Sequence, residues 1–431
     1  MKPIIALIIL LVFGQLFVYG FYWHYLPSYL LIFFMVMIAI FRKGDISNIK
    51  KRLLNYSLVA MLLFALVPWV TFLPVPELTK PQGKYKVGTR IFRWVDYSRD
   101  ELITPDLTDK RNVVVQAWYP TEENANGSHS DYLDGLGHLP EKVGILPRWI
   151  LEHYDQINTY GMLNVPISKA QTQWPVVIFL TGNGASRAFY TSILAGLASR
   201  GYAVLAIDHP FEAMITQLAD GKIATTIEDH SKDGSDLTNF MKGRLDTRIA
   251  DVQFVINQLD SQKASKDGFL SALDPNRIVI TGHSLGGASA AAAMAVDSRI
   301  KAAANIDGTL YGELPKPNGP RPFLLLESNK EDQSRYLRYE NGNQKLFKQF
   351  GGGYRYVITE ADHYSFTDAP LLLATPTRLF AGRILGFGNI PTMTHNATVD
   401  ILNHFFYCTL NNKLTDLDSV VSHYQGIVKL K

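Results

Sequence analysis

Cysteine is all but missing. Cys408 is the only one in 431 residues, so no disulfide can close within the chain. It lies far from every motif and reads as a small buried apolar residue. A surplus of either charge is missing too: 42 Lys and Arg against 39 Asp and Glu leave a net +3. A balance so small and so dispersed excludes an electrostatic nucleic-acid surface. There is no internal repeat and no low-complexity tract, which excludes solenoids and repeat arrays.

Charge is also missing locally. Residues 3–20, 21–41 and 53–76 contain no Asp, Glu, Lys or Arg. Each run approaches the roughly 20 apolar residues that cross a hydrocarbon core of about 30 Å. Phe17, Tyr19, Phe21, Tyr22, Trp23 and Tyr25, and later Trp69 and Phe72, gather at the junctions as in a membrane-interface belt. A cleaved signal peptide would end on small residues, and Val18-Tyr19-Gly20-Phe21 is a poor exit of that kind. The pattern predicts a membrane anchor over residues 1–76 with three transmembrane helices. Arg42, Lys43, Lys50, Lys51 and Arg52 follow the second run, whereas the turn around His24 has no Lys or Arg. The positive-inside rule puts that basic loop, and the N-terminus with Lys2, in the cytoplasm. An odd number of spans then makes the rest of the chain extracytoplasmic. Lys80, Lys84, Lys86 and Arg90 reduce the asymmetry. The uncharged interiors of the runs offer no ion path, so a transport role finds no support.

Residues 83–431 have the character of a mixed globular domain. Residues 86–97 and 113–119, rich in Val, Trp and Tyr, predict two early strands. Residues 124–137 are polar and Gly-rich and predict a loop. Apolar runs at 175–180, 203–207, 277–281, 301–306, 322–326 and 354–358 suit parallel strands buried on both faces. Helical patterns at 187–200, 242–259 and 287–296 fall between them. This alternation predicts an α/β fold: a mostly parallel sheet with helices on both sides. Residues 209–241 mix polar and apolar positions between a strand and a helix and are a candidate lid.

Gly282-His283-Ser284-Leu285-Gly286 joins the strand at 277–281 to the Ala-rich helix. Strand, G-x-S-x-G, helix is the nucleophile elbow of an α/β-hydrolase, in which a strained turn raises the serine above the sheet edge. Gly282 and Gly286 suit positions where a Cβ would crowd the neighbouring chain. A serine needs a base and an acid to orient that base, and in this fold both follow it in the chain. His363, just beyond the strand at 354–358, is the best placed base; His395, His404 and His423 lie in or near the terminal helix and tail. Asp307 and Glu327 each follow a strand, and the residues alone do not choose between them. The oxyanion needs two backbone donors. Leu285 N–H is one. Asn183 N–H, in the loop Thr181-Gly182-Asn183-Gly184-Ala185, is the other candidate. This chemistry calls for no metal and no cofactor.

These residues resemble a known family, the plasma and type II intracellular platelet-activating-factor acetylhydrolases with their bacterial relatives. The resemblance covers most of residues 83–410. It is carried by Tyr85-Lys86-Val87-Gly88-Thr89, by Val115-Gln116-Ala117-Trp118-Tyr119-Pro120, by residues 179–187, by the elbow, by Asn305-Ile306-Asp307-Gly308 and by His363-Tyr364-Ser365-Phe366-Thr367-Asp368. It implies that the acid is Asp307 rather than Glu327. Thr181 stands where the family usually has His, and Asn183 where it has an apolar residue. The three predicted spans are not part of the animal enzymes. The resemblance implies a serine esterase acting on short-acyl or oxidised phospholipids, which a domain tethered to a bilayer would meet readily. Rival readings are a lipase, cutinase-like esterase or acyltransferase on the same residues, and a non-catalytic membrane protein whose hydrolase domain binds lipid.

Overall fold

The structure, a computed structural model, describes residues 2–41, 47–143, 146–227, 234–261, 268–311, 313, 317, 319–329 and 333–430. Its centre is a ten-stranded sheet. In chain order the strands are β1 (Lys86–Asp100), β2 (Lys110–Thr121), β3 (Gly161–Leu163), β4 (Trp174–Leu180), β5 (Ala203–Asp208), β6 (Leu273–His283), β7 (Ile300–Ile306), β8 (Phe323–Ser328), β9 (Tyr354–Ile358) and β10 (Ile427–Lys429). Across the sheet the order is β10-β9-β8-β7-β6-β4-β5-β2-β1-β3. The run from β5 through β4, β6, β7 and β8 to β9 is parallel. Strand β2 joins it antiparallel, as β1 does to β2 and β10 to β9. The predicted strands are therefore present. β3 and β10, of three residues each, are too short to show a pattern in the sequence.

Alternation along β4 shows how the sheet is buried. Val176, Ile178 and Leu180 face one core with Leu205, Ile207, Ile278 and Ile280. Val177 and Phe179 face the other with Val204, Ala206 and Val279. Both faces are apolar because helices cover both. The helices longer than five residues, in chain order, are α1 (Lys2–Tyr19), α2 (Leu26–Phe41), α3 (Asn48–Thr71), α4 (Thr191–Ser199), α5 (Gly234–Ser261), α6 (Leu285–Val296), α7 (Gln333–Phe350), α8 (Thr375–Leu385) and α9 (Pro391–Leu410). Leu245, Val252, Val255 and Ile256 of α5 and the alanines of α6 fill the first core. Ile193, Leu194 and Leu197 of α4 and Leu402, Phe405 and Phe406 of α9 fill the second.

The N-terminal region corrects one expectation. Two stretches, Trp23–Phe41 and Asn48–Thr71, are long and apolar enough to cross a membrane. Helix α1, 18 residues from Lys2 to Tyr19, falls short of the ~20 residues a span requires. Among the described residues the count is therefore two rather than three. The third expected run also starts earlier than its lack of charge suggested, because Ser47 accepts the Lys50 N–H and caps α3 ahead of Lys51 and Arg52. Of the basic loop, residues 42–46 lie outside the described residues.

A layer of buried charge lies beneath the loop that follows β5. Asp251, fully buried on α5, accepts Arg111 Nη2 at 2.7 Å, Arg99 Nη2 at 2.8 Å and His209 Nδ1 at 2.8 Å. Burial opposes ionisation of Asp251, but the Arg111 charge and the hydrogen bonds from His209 and Arg111 hold its carboxyl well below the usual aspartate range. Asp251→Asn would remove one of the two carboxylates that neutralise the buried Arg111 guanidinium and leave Glu101 alone to do so. The variant is expected to lose about 3 kcal/mol of stability, the low end for a broken buried pair, read as a lower unfolding temperature of the detergent-purified chain. Because the folded-state value is depressed, the wild-type advantage holds above pH 3.8, the ordinary aspartate value, and disappears as pH falls below it.

Candidate active site

The elbow forms where β6 ends and α6 begins. Ser284 sits between them at φ 57°, ψ −124°, a backbone state that side chains rarely adopt. Its neighbours force it there. A Cβ on Gly282 would lie 2.6 Å from the carbonyl of Leu180, and one on Gly286 would lie 2.2 Å from the same oxygen. Only glycine lets the turn cross β4 so closely.

Three side chains meet at this edge. His363 Nε2 lies 3.0 Å from Ser284 Oγ, and His363 Nδ1 lies 2.7 Å from Asp307 Oδ2. His363 comes from the loop after β9 and opens a short 3-10 turn. Asp307 directly follows β7, and its carboxylate also accepts Ser328 N–H at 2.9 Å and Ser328 Oγ–H at 2.7 Å. An ionised carboxylate only accepts, so the proton of a neutral His363 sits on Nδ1 and Nε2 is left to receive the serine proton. Glu327, the other acidic candidate, lies elsewhere. Its carboxylate accepts Arg355 Nε at 2.5 Å and Asn343 Nδ2 at 2.9 Å. His395 is held in α9 by Thr79 Oγ1 and by the carbonyl of Thr367. His404 contacts Cys408, which is buried as expected.

Of the two expected N–H donors, Leu285 directly follows the serine and Asn183 lies in the loop that touches it. Leu285 opens α6, where the N–H groups and the helix dipole favour negative charge. The loop 181–184 touches Ser284, since a Cβ on Gly182 would lie 3.5 Å from the Ser284 Cβ. Among the described residues no acceptor takes the N–H of Leu285 or of Asn183. Of the candidate lid, Ile215–Gln217 and Ile223–Thr225 pair as a small hairpin, while residues 228–233 lie outside the described residues.

Several partners were not foreseen. Gly182 N–H donates to Tyr190 Oη at 2.9 Å, and Tyr190 Oη meets His283 Nδ1 at 2.9 Å. His283 Nε2–H donates to the carbonyl of His363 at 2.8 Å. His283 thus fastens the base loop and, through Tyr190, the donor loop. It stands at a variable position of the G-x-S-x-G pattern, so nothing in the motif singled it out. Arg244 and Arg248 reach the donor loop from α5, and their spacing reads in sequence as an ordinary charged helix face.

The fold has solved counterparts. A ferulic acid esterase from Streptomyces cinnamoneus superposes with a TM-score of 0.69 at 24% identity, covering 83% of this chain and 99% of that one. Among sequence relatives, a probable 1-alkyl-2-acetylglycerophosphocholine esterase of Arthroderma benhamiae is 28% identical over 80% of this chain and 86% of its own length. The platelet-activating factor acetylhydrolase of Cavia porcellus is 24% identical over 54% of each chain. The matches to that protein and its dog and cattle counterparts span only 54–60% of their lengths. The class is therefore that of carboxylic ester hydrolases on an α/β-hydrolase fold. Residues 72–383 match the family "Platelet-activating factor acetylhydrolase, isoform II", and the chain belongs to it.

Asp368 closes the segment that carries His363. It is fully buried, receives the Ser192 N–H at 3.4 Å, and burial pushes its carboxyl up to about 7. A raised folded-state value means stability that is complete below pH 3.8 and is lost as pH rises through about 7. The difference is on the order of 4 kcal/mol. Asp368→Asn carries no such charge, so its unfolding temperature should fall less than that of the wild type between pH 5 and 8. Parallel pH profiles for the two proteins would refute this assignment.

Proposed function

We propose that this chain is a membrane-anchored serine esterase that hydrolyses short-acyl or oxidised phospholipids. The observation that carries the proposal is the continuous relay from Ser284 Oγ through His363 to Asp307, at 3.0 and 2.7 Å. Ser284 Oγ attacks the ester carbonyl while His363 Nε2 takes its proton. Asp307 keeps His363 in the required tautomer and stabilises the imidazolium that forms. Leu285 and Asn183 N–H stabilise the tetrahedral oxyanion. His363 then protonates the leaving alcohol, and water, activated by the same base, hydrolyses the acyl-enzyme. The names of the relatives, which describe acetyl esters of alkyl glycerophosphocholine, support the substrate class.

Contacts between the anchor and the domain support attachment to a bilayer. The turn between α1 and α2 packs on the domain: Tyr22 lies tilted against His153 with ring centres 4.0 Å apart and donates to Gln156, and Trp23 lies edge-on to Trp149. At the end of α3, Thr71 O accepts Ala374 N–H at 3.1 Å, just ahead of α8. Helix α8 leaves Leu379, Phe380 and Ile384 exposed beside α3, as an interfacial helix would. Lys50, Lys51 and Arg52 lie at the opposite end of α3. The α2–α3 hairpin alone therefore sets the orientation, and the positive-inside rule makes the domain extracytoplasmic. The proposal needs no third span.

Turnover of p-nitrophenyl esters of increasing acyl length by the detergent-purified chain tests the chemistry. Short esters should be cleaved fastest, Ser284→Ala should abolish turnover, and Asp307→Asn should lower kcat by about 10⁴-fold. Preference for long chains would point to a lipase, and serine-independent turnover would sink the mechanism. Topology has its own readout in intact cells. A membrane-impermeant maleimide should label Leu414→Cys, 94% exposed in the wild type, in a Cys408→Ser background. Labelling only after lysis would put the domain in the cytoplasm.

A further inference from the structure

Two arginines one turn apart on α5 grip the loop that carries Asn183. Arg248, fully buried, donates Nη1 to the carbonyl of Thr181 at 2.5 Å and Nη2 to that of Gly182 at 3.5 Å. Its Nε is held by Glu212 Oε2 at 2.8 Å. Arg244, 4% exposed, donates Nη1 to Asn183 Oδ1 and Nη2 to the carbonyl of Ile227 at 2.9 Å. Three successive residues of the loop are thus held by oxygen atoms from one side.

In a planar trans peptide the C=O of one residue and the N–H of the next point in opposite directions. Drawing the Thr181 carbonyl towards α5 therefore turns the Gly182 N–H away from α5, where Tyr190 Oη receives it. The Gly182 carbonyl, held by Arg248 and by the Ala185 N–H at 3.2 Å, likewise turns the Asn183 N–H the opposite way. Among the described residues no group accepts that N–H. The Arg244 contact holds the Asn183 side chain on the α5 side, where it cannot fold over its own N–H. A loop with two glycines would otherwise sample many peptide orientations.

We propose that Arg244 and Arg248 are positioning residues that aim the Asn183 N–H at the developing oxyanion. This rests on the serine mechanism proposed above. It also accounts for Asn183, whose amide oxygen gives Arg244 an acceptor that an apolar side chain would lack. Such a clamp acts in the transition state, because a ground-state carbonyl gains less from the donor than an oxyanion does.

The test uses the full chain in detergent with p-nitrophenyl acetate. Lysine has a single donor centre and cannot span both carbonyls while keeping Glu212. Arg248→Lys is expected to lower kcat about 10²-fold with KM changed less than about 3-fold. Affinity for a trifluoromethyl ketone, which forms a tetrahedral adduct on the serine, should fall by the same factor. The pH midpoint of kcat/KM should stay in place, because the contacts of His363 are untouched. Arg244→Gln and Asn183→Leu should each lower kcat about 10-fold, and the double variant no further, since both remove one contact. If Arg248→Lys does not fold, that cycle decides. Wild-type kcat in folded Arg248→Lys, or additive losses in the cycle, would overturn the clamp. Should Ser284→Ala retain turnover, the serine mechanism fails; an inactive Ser284→Ala beside unimpaired arginine variants defeats the clamp alone.

Discussion

The backbone of the elbow crosses the end of β4 at the limit of contact. Gly286 passes the Leu180 carbonyl so closely that a methyl group in its place would lie 2.2 Å from the oxygen. That crossing locks β6 and α6 against the strand that runs directly into the donor loop. Ser284 is thereby held at positive φ, and Leu285 N–H and residues 181–183 come to its side. The other parts are suspended from the same point. Asp307 leaves the neighbouring strand β7, and His283 fastens the His363 loop through its carbonyl. Close packing of this kind leaves few alternative arrangements, so the polar groups are preorganised rather than assembled on binding.

Below the site the domain changes from apolar to ionic. The sheet is covered on both faces by aliphatic side chains, yet its carboxyl edge near α5 carries Arg111, Arg187, Arg248, Asp208, Asp251 and Glu212, all buried. Each charge is matched: Arg187 with Asp208 and Asp134, Arg248 with Glu212, Arg111 with Asp251 and Glu101. Such pairs add little net stability, because desolvation offsets their attraction. They do fix the loops geometrically, since a misplaced loop would strand an unpaired charge. The layer thus gives loops 181–187 and 208–216 defined positions.

The N-terminal helices meet the domain through aromatic rings and through backbone hydrogen bonds such as Ala374 N–H to Thr71 O. Tyr22, Trp23 and Tyr25 lie among Trp69, Trp149 and His153, where one end of each ring can be apolar and the other polar. Helix α8, which packs against α3, leaves Leu379, Phe380 and Ile384 exposed.

Much of this was legible in the residues. Continuous apolar runs announced the parallel strands, and the elbow announced itself because strand, G-x-S-x-G and helix are contiguous in the chain. His363 stood out because it follows a late strand after a short turn. Local patterns are readable when the atoms they concern are neighbours in sequence. What the sequence left open involved atoms far apart along it. Asp307 and Glu327 look equivalent as strand ends; the family resemblance favours Asp307, and tertiary structure supplies the physical reason, since Arg355 on the adjacent strand takes Glu327 while Ser328 and His363 take Asp307. Of the three expected spans the first, α1, is not borne out, because its 18 residues fall short of the ~20 that a span requires. The arginines of α5 belong to no motif, and their role shows only where the fold lays them on the donor loop. Sequence alone determined the sheet, the elbow and the candidate nucleophile; tertiary structure decided which acid pairs with the base and what holds the donor loop, because those contacts join segments 20 to 80 residues apart.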